Sequence, residues 1–297
     1  MSPSSALQSR RQIRRHFDRT APTYQHAAVV QREAGKRMLE RLDLVRLHPR
    51  RILDAGSGPG TLTDALRPRY PGAELIALDL SPAMLRLATG RAGGLRRLVQ
   101  RVRGTVPMRV CGDIAQLPLA NASIDLACSG FALEWARDLR AALLELYRVL
   151  ARGGLLMFAT LGPDTWKELR AALAPTAAAA PPPALADMHD IGDALVGAGF
   201  ADPVMDMECF TLTFVTLPDL MRDLRQSGAC GPLVGRAPHL KGKGWRDRVT
   251  KGYEAFRRNG RLPATIEVVY GHAWKPEQPR NSGDGRAVVR FERPRGR

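Results

Sequence analysis

The chain has 297 residues, 44% of them hydrophobic, which is enough for an α/β domain with a smaller appendage and a full core. It has no run of about 18 apolar residues and no apolar stretch of a secretory signal, so we expect a cytoplasmic protein that does not enter a membrane. The 4 cysteines are dispersed and the 6 histidines lack ligand spacing, which favours buried thiols and no metal site. The net charge of +16 indicates an arginine-rich solvated surface or an anionic partner, either nucleic acid or an acidic protein.

The ends of the chain differ in composition from its centre. Residues 1–13 are predicted to be a flexible N-terminus, and residues 14–48 carry the apolar periodicity of a helix ahead of the first strand. We place one domain over residues 14–275. Residues 276–297 are rich in Pro, Gly and Arg, which predicts a disordered basic tail.

The segment Arg51-Ile-Leu-Asp-Ala-Gly-Ser-Gly-Pro-Gly60 ends a buried strand with an acid and three alternating glycines. Glycine lets the backbone turn sharply and approach a ligand with no Cβ in the way. The helix predicted from Thr61 would aim its free N-terminal amides at the same ligand. The spacing differs from the dinucleotide pattern G-x-G-x-x-G, but it predicts a nucleotide cradle. The residues expected to line it are Asp54, Gly56, Ser57, Gly58 and Gly60.

Acids also end the next two predicted strands, 74–79 and 108–113. In a doubly wound fold, an acid at the tip of the second strand accepts both ribose hydroxyls. The acid after the third strand would accept from an adenine amino group, with an apolar residue on the ring face. The residues expected to contact the adenosine are Asp79, Leu80, Met84, Asp113 and Ile114.

The remaining pattern completes an α/β fold. A strand at 124–129 places Ser129 at its tip, where we expect a further cofactor contact. We predict a seven-stranded sheet with helices on both faces and a small helical lid, 217–258, inserted between strands six and seven. The other expected elements are a helix 138–150 stopped by Arg152-Gly153-Gly154, a strand 155–160, a helix with Asp164 as N-cap, a low-complexity linker 174–184, a helix 188–198 and strands 204–216 and 264–274.

The spacing Asp-x-Gly-x-Gly-x-Gly, with acids at the tips of the first three strands, resembles motif I and the following core of class I S-adenosylmethionine-dependent methyltransferases. This resemblance implies a Rossmann-like sheet. It also implies S-adenosylmethionine as the cofactor, with the glycine loop packed against the amino-acid part of that molecule.

Segments outside this core resemble the biotin-pathway malonyl-[acyl-carrier protein] O-methyltransferases, over roughly residues 14–275. The resemblance implies methyl transfer to the free carboxylate of a malonyl thioester on an acidic carrier protein or on coenzyme A, at the start of pimeloyl assembly. The segments that carry it include Arg15-His-Phe-Asp-Arg-Thr-Ala-Pro-Thr-Tyr24 before Gln31-Arg32, Phe131-Ala-Leu-Glu-Trp135, Thr160-Leu-Gly-Pro-Asp-Thr165 and Arg222-Asp-Leu-Arg-Gln-Ser-Gly-Ala229.

A carboxylate with a pKa of about 4 is already ionised at pH 7, so the implied reaction needs no general base. It does need donors for the buried carboxylate, and arginine supplies a planar, two-pronged one. Arg225 is the first candidate and Arg222 the second, while Tyr24 is expected to close the cofactor side and donate its hydroxyl toward the acceptor. The chain departs from the usual family pattern at Ser129-Gly130, Glu134-Trp135 and Cys230-Gly231, which bears on the fine recognition of the acceptor.

Three other functions stay open at this point. One is a small-molecule methyltransferase acting on a quinone or polyketide precursor. Another is an RNA-binding methyltransferase, although Ser-Gly-Phe-Ala follows the fourth strand where base methylation usually brings an Asn/Asp-Pro-Pro-aromatic motif. The last is a non-catalytic assembly factor, against which the intact glycines and three acids argue. We expect a monomer that does not bind nucleic acid.

Overall fold

The computed structural model describes residues 9–88, 106–176, 185–229 and 243–277, and every statement below refers to these ranges. The strands are β1 (Arg51–Ala55), β2 (Glu74–Asp79), β3 (Met108–Cys111), β4 (Ile124–Gly130), β5 (Leu150–Leu161), β6 (Ala201–Phe214) and β7 (Leu262–Trp274). The helices are α1 (Arg10–Ala27), α2 (Val29–Leu42), α3 (Thr61–Arg69), α4 (Pro82–Leu87), α5 (Leu139–Val149), α6 (Lys167–Leu173), α7 (Met188–Gly197), α8 (Leu217–Gln226) and α9 (Lys243–Glu254), with 3₁₀ turns at Leu133–Trp135 and Ala174–Thr176.

The strands form a seven-stranded sheet in the order β3-β2-β1-β4-β5-β7-β6. Strand β7 runs antiparallel to β5 and β6, and the other neighbouring pairs are parallel. The central strands are apolar runs because helices cover both faces of the sheet. The predicted α/β fold is thereby confirmed.

The two faces have separate apolar cores. On one face, residues of α2, α3, α8 and α9, such as Met38, Leu66, Leu220 and Tyr253, form one buried cluster. On the other face, α5 and α7 contribute residues such as Leu143 to a second cluster. No helix among the described residues is both long and apolar enough to cross a bilayer.

The N-terminal helical region is longer than predicted and is broken in two. Helix α1 begins at Arg10 because Ser9 and Gln12 form a capping box, so residues 10–13 are helical rather than flexible. The helix ends at Ala27, and α2 follows after Ala28. The rest of the expected flexible N-terminus, residues 1–8, lies outside the described residues.

Helix α2 is attached to β6 and β7 at the far side of the sheet. Arg37 forms an ion pair with Glu208, and Arg41 with Asp206. The Arg41 guanidinium also lies 3.9 Å from the ring centroid of Tyr270, within the range of a cation–π interaction. These contacts tie the N-terminal helices to the last two strands.

Two predicted helix ends were wrong. Helix α5 stops at Val149, so Arg152-Gly153-Gly154 does not end it but lies inside β5, where the Gly153 amide donates to the Lys275 carbonyl at 2.9 Å. Asp164 does not cap α6, which begins at Lys167. The amide of Asp164 instead donates to Oε2 of Glu267 at 2.6 Å, and the Asp164 carboxylate pairs with Lys167.

The cysteines were predicted to be buried, and this is correct for Cys128 only. Cys111 and Cys209 are exposed because they lie on β3 and β6, the two edge strands of the sheet. Cys230 lies outside the described residues.

The insert between β6 and β7 is helical, since it contains α8 and α9. Side chains of both helices are buried in the core, namely Leu220, Leu224, Val249 and Tyr253. The described part of the insert therefore packs as part of the core on one face of the sheet. Residues 230–242, in the middle of the expected lid, lie outside the described residues, as do residues 177–184 of the expected linker and 278–297 of the expected tail. A lid over the site stays a prediction.

Leu143→Ala should lower the free energy of unfolding by about 2–5 kcal/mol, because it leaves a cavity in a closely packed core. Leu143 is 0% exposed, whereas the next residue of the same helix, Leu144, is 44% exposed. Leu144→Ala is the matched control and should cost about 0.5 kcal/mol or less. Chemical denaturation of both variants measures the difference, and equal losses would contradict the assigned packing of α5.

Candidate active site

The end of β2 holds the loop after β1 in one conformation. The amides of Gly56 and Ser57 both donate to the carbonyl of Leu78, at 2.8 and 2.9 Å. The Gly58 amide donates to Oδ2 of Asp79 at 2.8 Å. The three glycines of the loop have φ values from +52° to +82°, a region in which only glycine is unstrained. The sequence pattern therefore produces a turn whose shape is fixed before any ligand binds.

A cavity of about 480 Å³ adjoins this loop. It lies at the C-terminal ends of β1 to β4, where doubly wound sheets bind their ligands. Helix α1 covers it with Phe17 and Tyr24, and the ring of Phe17 packs edge-on against Trp135 at a centroid distance of 4.6 Å. The predicted cofactor residues that line this cavity are Gly56, Gly58, Asp79, Leu80, Met84, Asp113 and Ile114.

A second cavity, of about 260 Å³, lies between α2, the glycine loop and the first turn of α3. Gln31 and Arg32 line it from α2, and Asp54 and Ser57 line it from the end of β1 and the loop. Tyr24 lines both cavities. The other residues shared by the two cavities are Gly56, Gly58, Gly130 and Phe131.

The residues of the two cavities fit S-adenosylmethionine. Oδ1 of Asp54 and Oγ of Ser57 are buried and have no hydrogen-bond partner among the described residues. Buried polar atoms are costly when unpaired, so these two indicate a polar ligand. In the first cavity, Asp79 and Asp113 present carboxylates suited to a ribose and an adenine amino group. An adenosine in the first cavity and an amino acid in the second would satisfy both sets of atoms.

Two predicted cofactor residues reach neither cavity. Ser129 is fully buried, and its hydroxyl has no partner among the described residues. Strand β4 continues to Gly130, so Gly130 and Phe131, one and two residues later than predicted, line the cavities. Gly60 lies at the N-cap of α3, where its left-handed conformation completes the turn rather than contacting a ligand.

Two contacts near the middle of α1 hold this helix over the first cavity. Oδ1 of Asp18 accepts a hydrogen bond from the hydroxyl of Ser81, at the start of α4, at 2.6 Å. Nε2 of His16 lies 2.8 Å from the carbonyl oxygen of Gly228, just after α8. The cover of the cavity is therefore joined both to the start of α4, after β2, and to the insert.

The structure does not bring Arg222 or Arg225 to either cavity, so the predicted carboxylate clamp on α8 is not supported. Arg222 is exposed and pairs with Asp219 at 2.8 Å, and Arg225 is also exposed. The reason is the amphipathic pattern of α8, which turns its apolar side inward and both arginines outward. The buried residues of this helix are Leu217, Leu220 and Leu224.

Sequence reasoning missed several cavity residues on the N-terminal helices. Arg10 lines the first cavity and forms an ion pair with Asp113, but it lies in the segment expected to be flexible. Gln31 and Arg32 stood in a family-like segment without an assigned role. Both lie in α2, yet nothing local in the sequence shows that this part of the helix meets the glycine loop.

Comparisons with known proteins identify the family. Residues 53–158 match the methyltransferase domain family. The chain is 49% identical over 296 residues to a malonyl-[acyl-carrier protein] O-methyltransferase of Methylovorus sp. strain MP688, covering 99% of this chain and 98% of that protein. It is 50% identical over 284 residues to the protein of the same name from Laribacter hongkongensis, covering 94% of each. The chain belongs to the malonyl-[acyl-carrier protein] O-methyltransferase family.

Solved structures support the class I methyltransferase fold. A putative methyltransferase from Bacillus halodurans C-125 matches with a TM-score of 0.54 at 18% identity, over 80% of this chain and 98% of its own. A Haemonchus contortus phosphoethanolamine N-methyltransferase 2, solved in complex with S-adenosylmethionine, matches with a TM-score of 0.50 at 16% identity, over 82% of this chain and 52% of its own. Fold neighbours of this family therefore bind the predicted cofactor.

Three carboxyl groups around the site of this methyltransferase, that of the buried Asp54 and those of the half-buried Asp79 and Glu134, have raised pKa values. Burial raises the pKa of Asp54 to about 7 and that of Asp79 to about 6. Burial also raises the pKa of Glu134 to about 7, although Oε2 of Glu134 accepts from Oγ1 of Thr160 at 3.1 Å. The site therefore disfavours negative charge until a cation or a proton arrives.

Glu134→Gln should stabilise the protein at pH 8 by about 1–3 kcal/mol and have no such effect at pH 4. At pH 4 Glu134 is protonated in the folded protein, where its pKa is about 7, and mostly protonated in the unfolded chain, where its pKa is near the ordinary value of 4.5. As the pH rises, the unfolded chain ionises first, so the folded state loses stability progressively up to pH 7. The isosteric amide removes this loss and still accepts from Thr160.

Glu145→Gln is a control that should change the stability of the folded state in the opposite direction. The hydrogen bond from Arg148 lowers the pKa of Glu145, so this carboxylate stabilises the folded state above its unfolded pKa and the effect disappears as the pH falls. Urea denaturation from pH 4 to pH 8 measures both variants against the wild type. A difference between Glu134→Gln and wild type that is the same at every pH would overturn the assigned burial of Glu134.

Proposed function

We propose that this protein transfers the methyl group of S-adenosylmethionine to the free carboxylate of a malonyl group on an acyl carrier protein, the step that begins pimeloyl and biotin synthesis. The observation that carries the proposal is the extent of the similarity to the Methylovorus protein, 99% of this chain. That similarity includes α1, α2, β6 and the helical insert, which lie outside the matched methyltransferase domain at residues 53–158.

The cofactor, when bound, supplies an electrophilic methyl group on a positively charged sulfur. The chain's own residues then have three tasks: to hold the cofactor, to exclude water and to align the acceptor. Asp79 would accept from the ribose hydroxyls and Asp113 from the adenine amino group. Asp54 and Ser57 would meet the amino-acid part. Phe17 and Trp135 form an apolar wall that keeps water from the reacting atoms.

Tyr24 would orient the acceptor at the junction of the two cavities. Burial raises the pKa of its hydroxyl, and the nearby Asp79 and Glu134 carboxylates raise it further, so Tyr24 keeps its proton at neutral pH. A protonated hydroxyl can donate to a carboxylate oxygen but cannot serve as a base. This agrees with an acceptor that is already ionised and needs only alignment.

Tyr24→Phe should lower kcat/KM by about 10- to 100-fold, because it removes the donor and keeps the packing of the ring. The affinity for S-adenosylhomocysteine should remain near that of wild type. Tyr147→Phe, which alters a tyrosine packed on Phe200 away from both cavities, is the control for removal of a phenol. Steady-state kinetics with calorimetry tests the assignment, and unchanged kcat/KM in Tyr24→Phe would remove Tyr24 from the acceptor site.

The basic face of α1 is suited to an acidic carrier protein. Arg11, Arg14, Arg15 and Arg19 are all exposed, and Asp18 is the only acid in this helix. Because α1 also covers the first cavity, a partner attracted to these arginines would lie beside the site. Long-range attraction between opposite charges raises the rate of such encounters.

The double variant Arg11→Glu/Arg15→Glu should lower kcat/KM for malonyl-carrier protein by roughly 10-fold or more and leave malonyl-coenzyme A almost unaffected. The rate with the carrier protein should also fall with added salt. Arg46→Glu/Arg50→Glu, which lies before the N-terminal end of β1 and so away from the cavities at the C-terminal ends of the strands, is the matched control.

The assay compares radiolabelled methyl transfer to malonyl-carrier protein, malonyl-coenzyme A and free malonate. No transfer to any malonyl acceptor would defeat the proposed reaction. Transfer to both thioesters with equal sensitivity to salt and to the α1 variant would preserve the reaction but remove the docking role of α1. Tight binding of RNA to α1 in the same buffers would favour a nucleic-acid partner instead.

A further inference from the structure

The second cavity is lined by groups that can bind a cation and by groups that can bind an anion. On the side of the glycine loop are Oδ1 of Asp54 and Oγ of Ser57, both buried and without a hydrogen-bond partner in the part of the chain that the structure describes. On the side of α2 is Arg32, and the first turn of α3, with its free amides, also lines the cavity. A ligand that carries an ammonium group and a carboxylate close together matches this distribution of charge.

Arg32 differs from the other cations of α2. Lys36 also lines the second cavity, but it pairs with Glu40 at 3.8 Å. Arg37 pairs with Glu33 and Glu208, and Arg41 with Asp206.

Arg32 has no acidic partner among the described residues. Its Nη1 donates to the carbonyl oxygen of Gln25, near the end of α1, which fixes the side chain beside the second cavity. This single bond leaves most of the five N–H donors of the guanidinium for an anion from outside the chain.

From these observations we propose that Arg32 binds the carboxylate of the amino-acid part of S-adenosylmethionine and makes the site selective for cofactors that carry this group. The inference rests on the proposed cofactor and names a residue that recognises it. A malonyl carboxylate is the competing anion, but it carries no ammonium group and leaves the polar atoms of Asp54 and Ser57 unsatisfied. The α-amino acid accounts for all three.

The proposal gives the N-terminal helices a role in cofactor recognition. Arg32 connects the ligand in the second cavity to Gln25 on α1, and α1 also covers the first cavity. A bound carboxylate would therefore hold the joint between α1 and α2 against the glycine loop. Arg32 acts on binding and positioning and takes no part in bond making.

The test is calorimetric binding of three ligands in the absence of any acceptor: S-adenosylmethionine, its decarboxylated form and 5′-methylthioadenosine. Arg32→Gln should weaken binding of S-adenosylmethionine by about 10- to 100-fold, the scale of a charge-assisted bidentate contact. Binding of the other two ligands should change by less than about 3-fold, because neither carries the carboxylate. Arg32→Lys should be intermediate, since it keeps the charge and loses the fork.

Arg46→Gln removes one positive charge outside both cavities and is the control for net charge. Retained binding of 5′-methylthioadenosine by Arg32→Gln shows that this variant is folded. An equal loss for all three ligands, or an unchanged affinity for S-adenosylmethionine, would overturn the proposal, as would a rise in the KM of the malonyl acceptor alone. A wild-type protein that binds none of the three would instead defeat the proposed cofactor.

Discussion

The site depends on one carboxylate at the end of β2. Oδ2 of Asp79 accepts from the Gly58 amide, and Oδ1 accepts from the Ser81 amide at the start of α4. These two bonds join the glycine loop to the next strand–helix unit, so the same group that would meet the ribose also sets the shape of the loop. An ionised carboxylate has about four acceptor positions, which leaves two for a ligand. Structural and binding roles therefore coexist without competing.

The sheet alone does not complete the site. Its cover and its second cavity come from α1 and α2, which precede β1 in the chain, and these helices are held at distant points. Ion pairs of Arg37 and Arg41 fasten α2 to β6, and the His16 contact fastens α1 to Gly228. The candidate cofactor site is thus enclosed by helices from the start of the domain that are anchored to segments near its end.

The sequence predicted those features whose causes are local. The strand–acid–glycine spacing around Asp54 and the acid of Asp79 follow from a few adjacent residues, and both lie where expected. The failures have long-range causes. The exposure of Cys111 depends on β3 being an edge strand, and the outward direction of Arg225 depends on which side of α8 meets the core. The proposed role of Arg32 depends on α2 lying against the glycine loop, which comes after β1 in the chain.

The electrostatics of the site fit a cationic cofactor and an anionic acceptor that meet and neutralise each other. Asp54 is buried, Asp79 and Glu134 are half-buried, and burial raises the pKa of all three, so in the absence of a cation they are partly protonated near neutral pH. A bound sulfonium would favour their ionised forms, and these would in turn stabilise the sulfonium. Ionised carboxylates repel a malonyl carboxylate, however, so strong stabilisation of the cofactor alone would oppose binding of the acceptor. A neutral Tyr24 hydroxyl between the two cavities supplies a donor without adding charge, and raised pKa values keep the negative charge of the walls small. Such a site can accept both ions and needs no base.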